Sequence, residues 1–232
     1  MGLLLLSIVS SVAYLAMRGS RPSSSVVVLK ALSIAPLALL AFRVLRKTTP
    51  RPYGRKIAPH ANVILAAALT LSCVGDVALA VDPRRYFGHA LYAFLLAHLA
   101  YILLFVGSWP RPLHPSGRQL VSTVLVLVYG LLVTSWLAPG FGRLTVPAMV
   151  YAGAITAMTA STILAGFSRP VVLIGAILFM ISDSLIAAAR FTTGWSWAAY
   201  LIWPAYYLGQ YGIAIGFLRE ATGDDAEARQ SL

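Results

Sequence analysis

Cysteine is nearly absent from this chain: Cys73 is the only one among 232 residues. A lone thiol excludes an internal disulfide and a thiolate metal cluster. Histidine is scarce too, with four residues and no His-x-x-x-His pair. A hydrolytic zinc site wants three protein ligands, usually several of them His, so no metal is expected. No Gly-x-Ser-x-Gly elbow supports a serine nucleophile, and no P-loop is present. No polar linker is long enough to separate two domains. Residues 1–219 therefore read as one transmembrane domain, followed by a polar tail, 220–232, without an apolar face. Acidic residues are few: of seven, four lie in that tail.

What fills the chain is hydrocarbon. It is 59% hydrophobic and 11% charged, with a mean hydropathy of +0.81. Apolar runs of about 18 residues or more recur from end to end, which predicts an all-α, polytopic membrane helix bundle. Eight transmembrane helices are expected, at roughly 2–17, 26–45, 60–81, 87–108, 119–137, 144–165, 170–190 and 196–218. Proline and glycine punctuate the gaps, as in Thr49-Pro-Arg-Pro52 and Trp109-Pro-Arg-Pro112. The first run lacks a positive flank and reads as a helix, not as a cleaved signal.

The formal net charge of +11 would suggest nucleic acid in a soluble protein. Here Lys and Arg lie mostly in short loops, where they set topology and meet phospholipid headgroups, so no nucleic-acid partner is expected. Eleven fall on the N-terminal side (Arg43, Arg46, Lys47, Arg51, Arg55, Lys56, Arg111, Arg118, Arg169, Arg219, Arg229). Six fall on the other (Arg18, Arg21, Arg84, Arg85, Arg143, Arg190). That bias places both termini in the cytoplasm.

Two of the three acids outside the tail sit inside apolar runs, in matching sequence. Gly75-Asp76-Val-Ala-Leu-Ala80 parallels Ser182-Asp183-Ser-Leu-Ile-Ala187. A carboxylate in a membrane helix is costly, faces a protein interior and marks a working site. The motifs lie 107 residues apart. Phe94-Leu-Leu-Ala-His98 follows one, and Tyr206-Tyr-Leu-Gly-Gln210 the other. This suggests a parallel repeat of two four-helix halves. At about 1.5 Å per residue, Asp76, Asp183 and Lys30 lie about 6 to 11 Å below one membrane face. Arg190 sits two turns beyond Asp183 on the same helical face, and Tyr200, Trp203, Tyr207 and Gln210 form a stripe descending from it. The pattern predicts a pocket with a basic rim and two carboxylates below, fitting a phospholipid-like substrate whose phosphate meets arginine. A buried ion pair of Asp183 with Lys30 or Arg190 is the competing structural reading. His89 reads as interfacial. His98, deeper, reads as bonding across helices.

These motifs resemble the lysoplasmalogenase family of YhhN-like membrane proteins. The matching residues are Lys30, Gly75-Asp76, Phe94-Leu-Leu-Ala-His98-Leu-Ala-Tyr101, Phe179-Met-Ile-Ser-Asp-Ser-Leu-Ile-Ala187 with Arg190-Phe191, and Tyr206-Tyr-Leu-Gly-Gln210. The likeness runs from the second span to the eighth. One departure is Ala31, where the family often has proline. The resemblance implies hydrolysis of the vinyl-ether bond of lysoplasmalogens to a fatty aldehyde and a glycerophospho-base, with Asp76 and Asp183 as the catalytic pair. Lys30, Arg190, Tyr207, Gln210 and His98 are the expected substrate-binding residues, the partners are a lysophospholipid substrate and membrane lipids, and no cofactor is expected. Two carboxyls suit a reaction through an oxocarbenium ion. Intramembrane carboxylates in a parallel repeat would equally suit a proton-coupled small-solute transporter. Clustering of the charges toward one face speaks against that.

Overall fold

The computed structural model describes residues 1–17, 23–44, 60–168 and 170–222. Most of the polar tail lies outside them. So do Arg18, Arg21, Arg46, Lys47, Arg51, Arg55, Lys56, Arg169 and Arg229, which carry much of the orientation argument.

Eight α-helices form, and no strand occurs among the described residues: α1 (Gly2–Ala16), α2 (Ser24–Val44), α3 (Ala61–Val81), α4 (Phe87–Val106), α5 (Gly117–Leu137), α6 (Thr145–Ala165), α7 (Val171–Phe191) and α8 (Ala199–Thr222). Six of them, α2 to α7, are long and apolar enough to cross a bilayer. Helix α1 has 15 residues, short for a span. Helix α8 has 24, but Trp, Tyr, Pro and Gln dilute its hydropathy, and it runs past its expected end at Leu218 to Thr222. The chain is thus a multi-pass membrane protein.

Consecutive helices pack against each other, apart from α4 and α5, and α4 lies on α6. Contact between α8 and α2 closes a ring in the order α2, α3, α4, α6, α7, α8. Helix α1 lies outside the ring on α2, and α5 outside it on α6. Only Gly130 and Leu137 of α5 are buried, as its continuous run of apolar residues allows when lipid is the solvent. Its start is fixed locally. The Ser116 hydroxyl accepts from the Gln119 backbone N–H at 3.3 Å, and the Gln119 side chain accepts from the Ser116 N–H at 2.9 Å.

The α7–α8 contact is the most extensive, and glycine makes it so. A Cβ on Gly175 would lie 2.7 Å from the Gly209 carbonyl oxygen, and one on Gly209 would lie 2.9 Å from that of Gly175. Backbones this close need small residues on both sides, the usual basis of helix packing in lipid. This approach fixes the rotation of α8 against α7, and with it which aromatic of α8 faces inward.

At the end of α3 the Asp82 carboxylate accepts the backbone N–H groups of Arg84 (2.8 Å) and Arg85 (3.0 Å). Those two bonds, helped by the nearby guanidinium charges, hold Asp82 below its usual pKa. Because the folded value is lowered, the stabilisation is complete above the unfolded value of about 3.9 and is lost as pH falls through the folded one. A carboxyl-carbon NMR titration in micelles should give a midpoint below that of a free Asp. An ordinary midpoint would mean the turn does not hold.

Candidate functional site

Asp76 is 2% exposed, deep between α2, α3 and α8. One oxygen lies 3.2 Å from Lys30 Nζ, and the other accepts the Tyr206 hydroxyl at 2.5 Å. The network continues. Gln210 Nε2 donates to the Tyr206 oxygen at 3.3 Å, and the Tyr101 hydroxyl donates to Gln210 Oε1 at 2.5 Å. Lys30 is also caged by rings, with Nζ 5.7 Å from the centroid of Tyr14 and 5.5 Å from that of Trp203. Trp203 in turn donates to the hydroxyl of Ser11 at 3.1 Å, tying α8 to α1. A buried charge pair survives in a low-dielectric site only when its remaining valences are met, and here tyrosine and the aromatic cage meet them.

Asp183 has different company. Its Oδ2 accepts the Tyr151 hydroxyl, and His98 Nε2 stands 3.6 Å from the same oxygen. No cation of Lys or Arg is paired with it among the described residues. Asp183 also lines a cavity between α4, α5, α6 and α7, which holds about 740 Å3 of space including its open mouth. The wall is almost wholly apolar, with Asp183, Tyr151, Ser184 and Thr134 as its polar members. At the end where α4 and α6 begin and α5 and α7 end, Phe87, Phe141 and Phe191 line the cavity. Arg190 is exposed there, its guanidinium 4.9 Å from the Phe87 centroid.

Phe94 and Phe179 join the two clusters. Phe179 has Tyr206 at 5.3 Å on one side and His98 at 4.9 Å on the other. Phe94 lines the cavity and meets Tyr206 at 5.9 Å. Its ring fills the notch beside Asp76 that Gly75 leaves, where a Cβ would come within 2.7 Å of it.

The expected site residues therefore divide. Lys30 meets Asp76, not Asp183, and Arg190 stacks on Phe87, so neither ion pair foreseen for Asp183 forms. Lys30, Tyr207, Gln210 and His98 are buried among side chains and are not on the cavity wall. Gln210 belongs to the Asp76 network, and His98 abuts Asp183. Tyr207 shares a hydrogen bond with Ser7 at 2.9 Å, so its neighbour Tyr206 is the residue on Asp76. Tyr200 is 70% exposed and leaves the stripe. His89 is exposed at the start of α4, beside Tyr86, in keeping with an interfacial place.

Sequence reasoning missed Tyr151 altogether and Tyr101 as a partner of Gln210. Tyr151 carried a usable signal: it is the sole aromatic in the Ala- and Thr-rich run of α6. A buried phenol usually finds an acceptor.

A family model described as the YhhN family matches residues 25–217. Among curated proteins, the lysoplasmalogenases of Mycobacterium bovis and Mycobacterium tuberculosis are each 36% identical over 156 residues, which cover 66% of this chain and 59% of the relative. The lysoplasmalogenase TMEM86B of Rattus norvegicus is 30% identical over 156 residues, covering 67% of this chain and 62% of that protein. The matched region thus spans about three fifths of the length of these relatives. No solved structure matches. With the family pattern running across α2 to α8 and through both aspartate clusters, the chain belongs to the YhhN family.

Proposed function

We propose that this chain is a lysoplasmalogenase-type membrane hydrolase that cleaves the vinyl-ether bond of lysoplasmalogens. The observation that carries the reading is Asp183: a carboxyl with its phenol partner, set in the wall of an apolar cavity, with an exposed arginine over Phe87 at one end of the lining. The curated names of the relatives point the same way. A lysolipid placed with its phosphate at Arg190 puts its ether linkage lower, toward Asp183, and its hydrocarbon against the apolar wall.

In this mechanism Asp183 protonates the β-carbon of the vinyl ether. Positive charge then spreads over the α-carbon and the ether oxygen. Water adds to the α-carbon and gives a proton to a carboxylate. The resulting hemiacetal collapses to fatty aldehyde and glycerophospho-base. Two carboxyls in unlike surroundings suit a division into acid and base. The partners differ here, an ammonium on Asp76 and a phenol on Asp183. Asp183 is the acid, and Asp76 takes the water proton. Asp76 is not on the cavity wall, and Phe94, which is, lies against Gly75 and Tyr206, so that second role requires the ring to turn.

The same reading takes all eight helices as membrane-crossing, with both termini cytoplasmic. It takes residues 1–219 as one transmembrane unit ahead of the tail at 220–232, built as a parallel repeat of two four-helix halves. A matched neighbour pattern supports the repeat. Helix α1 lies on α2 as α5 lies on α6, and α2–α3–α4 parallels α6–α7–α8. The α4–α6 contact likewise has its counterpart in α8–α2. In each half the aspartate meets a polar side chain from the preceding helix, Lys30 on Asp76 and Tyr151 on Asp183.

Purified protein should release fatty aldehyde from a lysoplasmalogen in mixed micelles. Absence of aldehyde, with solute flux across sealed vesicles instead, would favour transport. Arg190→Ala should raise KM and spare kcat, as expected for a contact made equally in ground and transition states. A collapsed kcat at unchanged KM would move Arg190 next to the reacting atoms. No change in either would leave it an interface anchor.

A further inference from the structure

His98 is 0% exposed, and neither ring nitrogen is within hydrogen-bond geometry of a partner. A buried imidazole left in that condition is rare and calls for a reason. Its position supplies one. The ring is held edge-on to Tyr151, with centroids 5.0 Å apart and an interplanar angle of 83°, and lies 4.9 Å from Phe179. Packed between them, Nε2 points at Asp183 Oδ2 across 3.6 Å. A shift of a few tenths of an ångström brings Nε2 within about 3.2 Å of Oδ2, the outer range of a hydrogen bond.

We infer that His98 is a positioning residue for Asp183, holding its carboxyl through a hydrogen bond from Nε2–H to Oδ2. This deepens the functional reading above and rests on it. The chemistry follows from the tautomer. With its proton on Nε2, the neutral imidazole donates to Oδ2. Tyr151 and His98 then both donate to Oδ2 as the carbonyl-type oxygen of a carboxylic acid, which leaves the acid proton on Oδ1, the oxygen free to meet substrate. No Lys or Arg among the described residues pairs with Asp183 to favour the carboxylate instead. His98 itself is off the cavity wall and touches no reacting atom.

Two variants and one spectroscopic readout test this. His98→Phe keeps the ring between Tyr151 and Phe179 but removes both nitrogens. His98→Gln keeps a polar atom near the Nε2 position. The expected result is a kcat lower by about tenfold or more in His98→Phe, KM within about twofold, and substantial recovery in His98→Gln, in line with loss of support for an acid–base group. The infrared carboxyl band of Asp183, assigned by its loss in Asp183→Asn, should shift in His98→Phe. Wild-type turnover in His98→Phe overturns the inference. So does a fall in kcat with an unmoved band, which marks a packing role only. If His98→Phe does not fold, the 15N shifts of His98 in selectively labelled wild type decide: a hydrogen-bonded Nε2 supports the inference, and two free nitrogens overturn it. A wild type that releases no aldehyde sinks the functional reading, while the infrared and 15N readouts still test His98 itself.

Discussion

Asp183→Asn is expected to cut aldehyde release from lysoplasmalogen by at least about 100-fold, the lower end for a lost acid–base group. Asparagine has the size of aspartate and still accepts the Tyr151 hydroxyl, so the fold should persist. It has no proton to give to carbon. The fall should appear in kcat and kcat/KM alike, because the lost interaction exists only in the transition state. The measurement is turnover of purified, detergent-solubilised protein, with thermal unfolding as the control for integrity. Near wild-type turnover in a folded variant would remove Asp183 from the chemistry and leave it a structural partner of Tyr151.

Asp76→Asn should do two things at once. It removes the counter-charge of Lys30, which is buried and caged by Tyr14 and Trp203. Breaking one side of a buried pair costs about 3–5 kcal/mol, much of it the penalty of the stranded partner. A clear drop in thermal stability is therefore expected along with loss of turnover. Adding Lys30→Met to that variant separates the effects. The double variant should regain stability, since neither charge is left unpaired, and should stay inactive if Asp76 receives the water proton. Recovery of turnover together with stability would show that Asp183 serves as both acid and base, with the Lys30–Asp76 pair holding α2 to α3.

Much of the fold was legible in the chain because lipid imposes a simple rule. Every backbone group must be satisfied within the segment, so each long apolar run becomes a helix. The expected and observed helices agree to within a few residues at every end. Where length or hydropathy falls short, as in α1 and α8, hydropathy offers no further criterion, and their positions in the bundle come from packing on α2 and α7. Rise per residue likewise converts the positions of Asp76 and Asp183 into an expected depth. Depth does not fix direction. Successive residues turn by about 100° around a helix. Choosing Tyr207 over Tyr206 on α8 was therefore a choice of face, which the backbone contact of Gly175 with Gly209 decides.

Read alone, the chain was enough for a helical membrane protein of the YhhN type, its helix positions, and the two carboxylates inside those helices. It could do so because hydropathy and rise are properties of single segments. The tertiary structure alone decided the partners: Lys30 and Tyr206 for Asp76, Tyr151 and His98 for Asp183. It alone also put Asp183 on the cavity wall and Asp76 off it, with Phe94 on that wall against Gly75. These features depend on how each helix is rotated against its neighbours. Rotation is set by the close fit of small and large side chains across helix interfaces, where lipid and protein are equally apolar and packing is the main discriminating force.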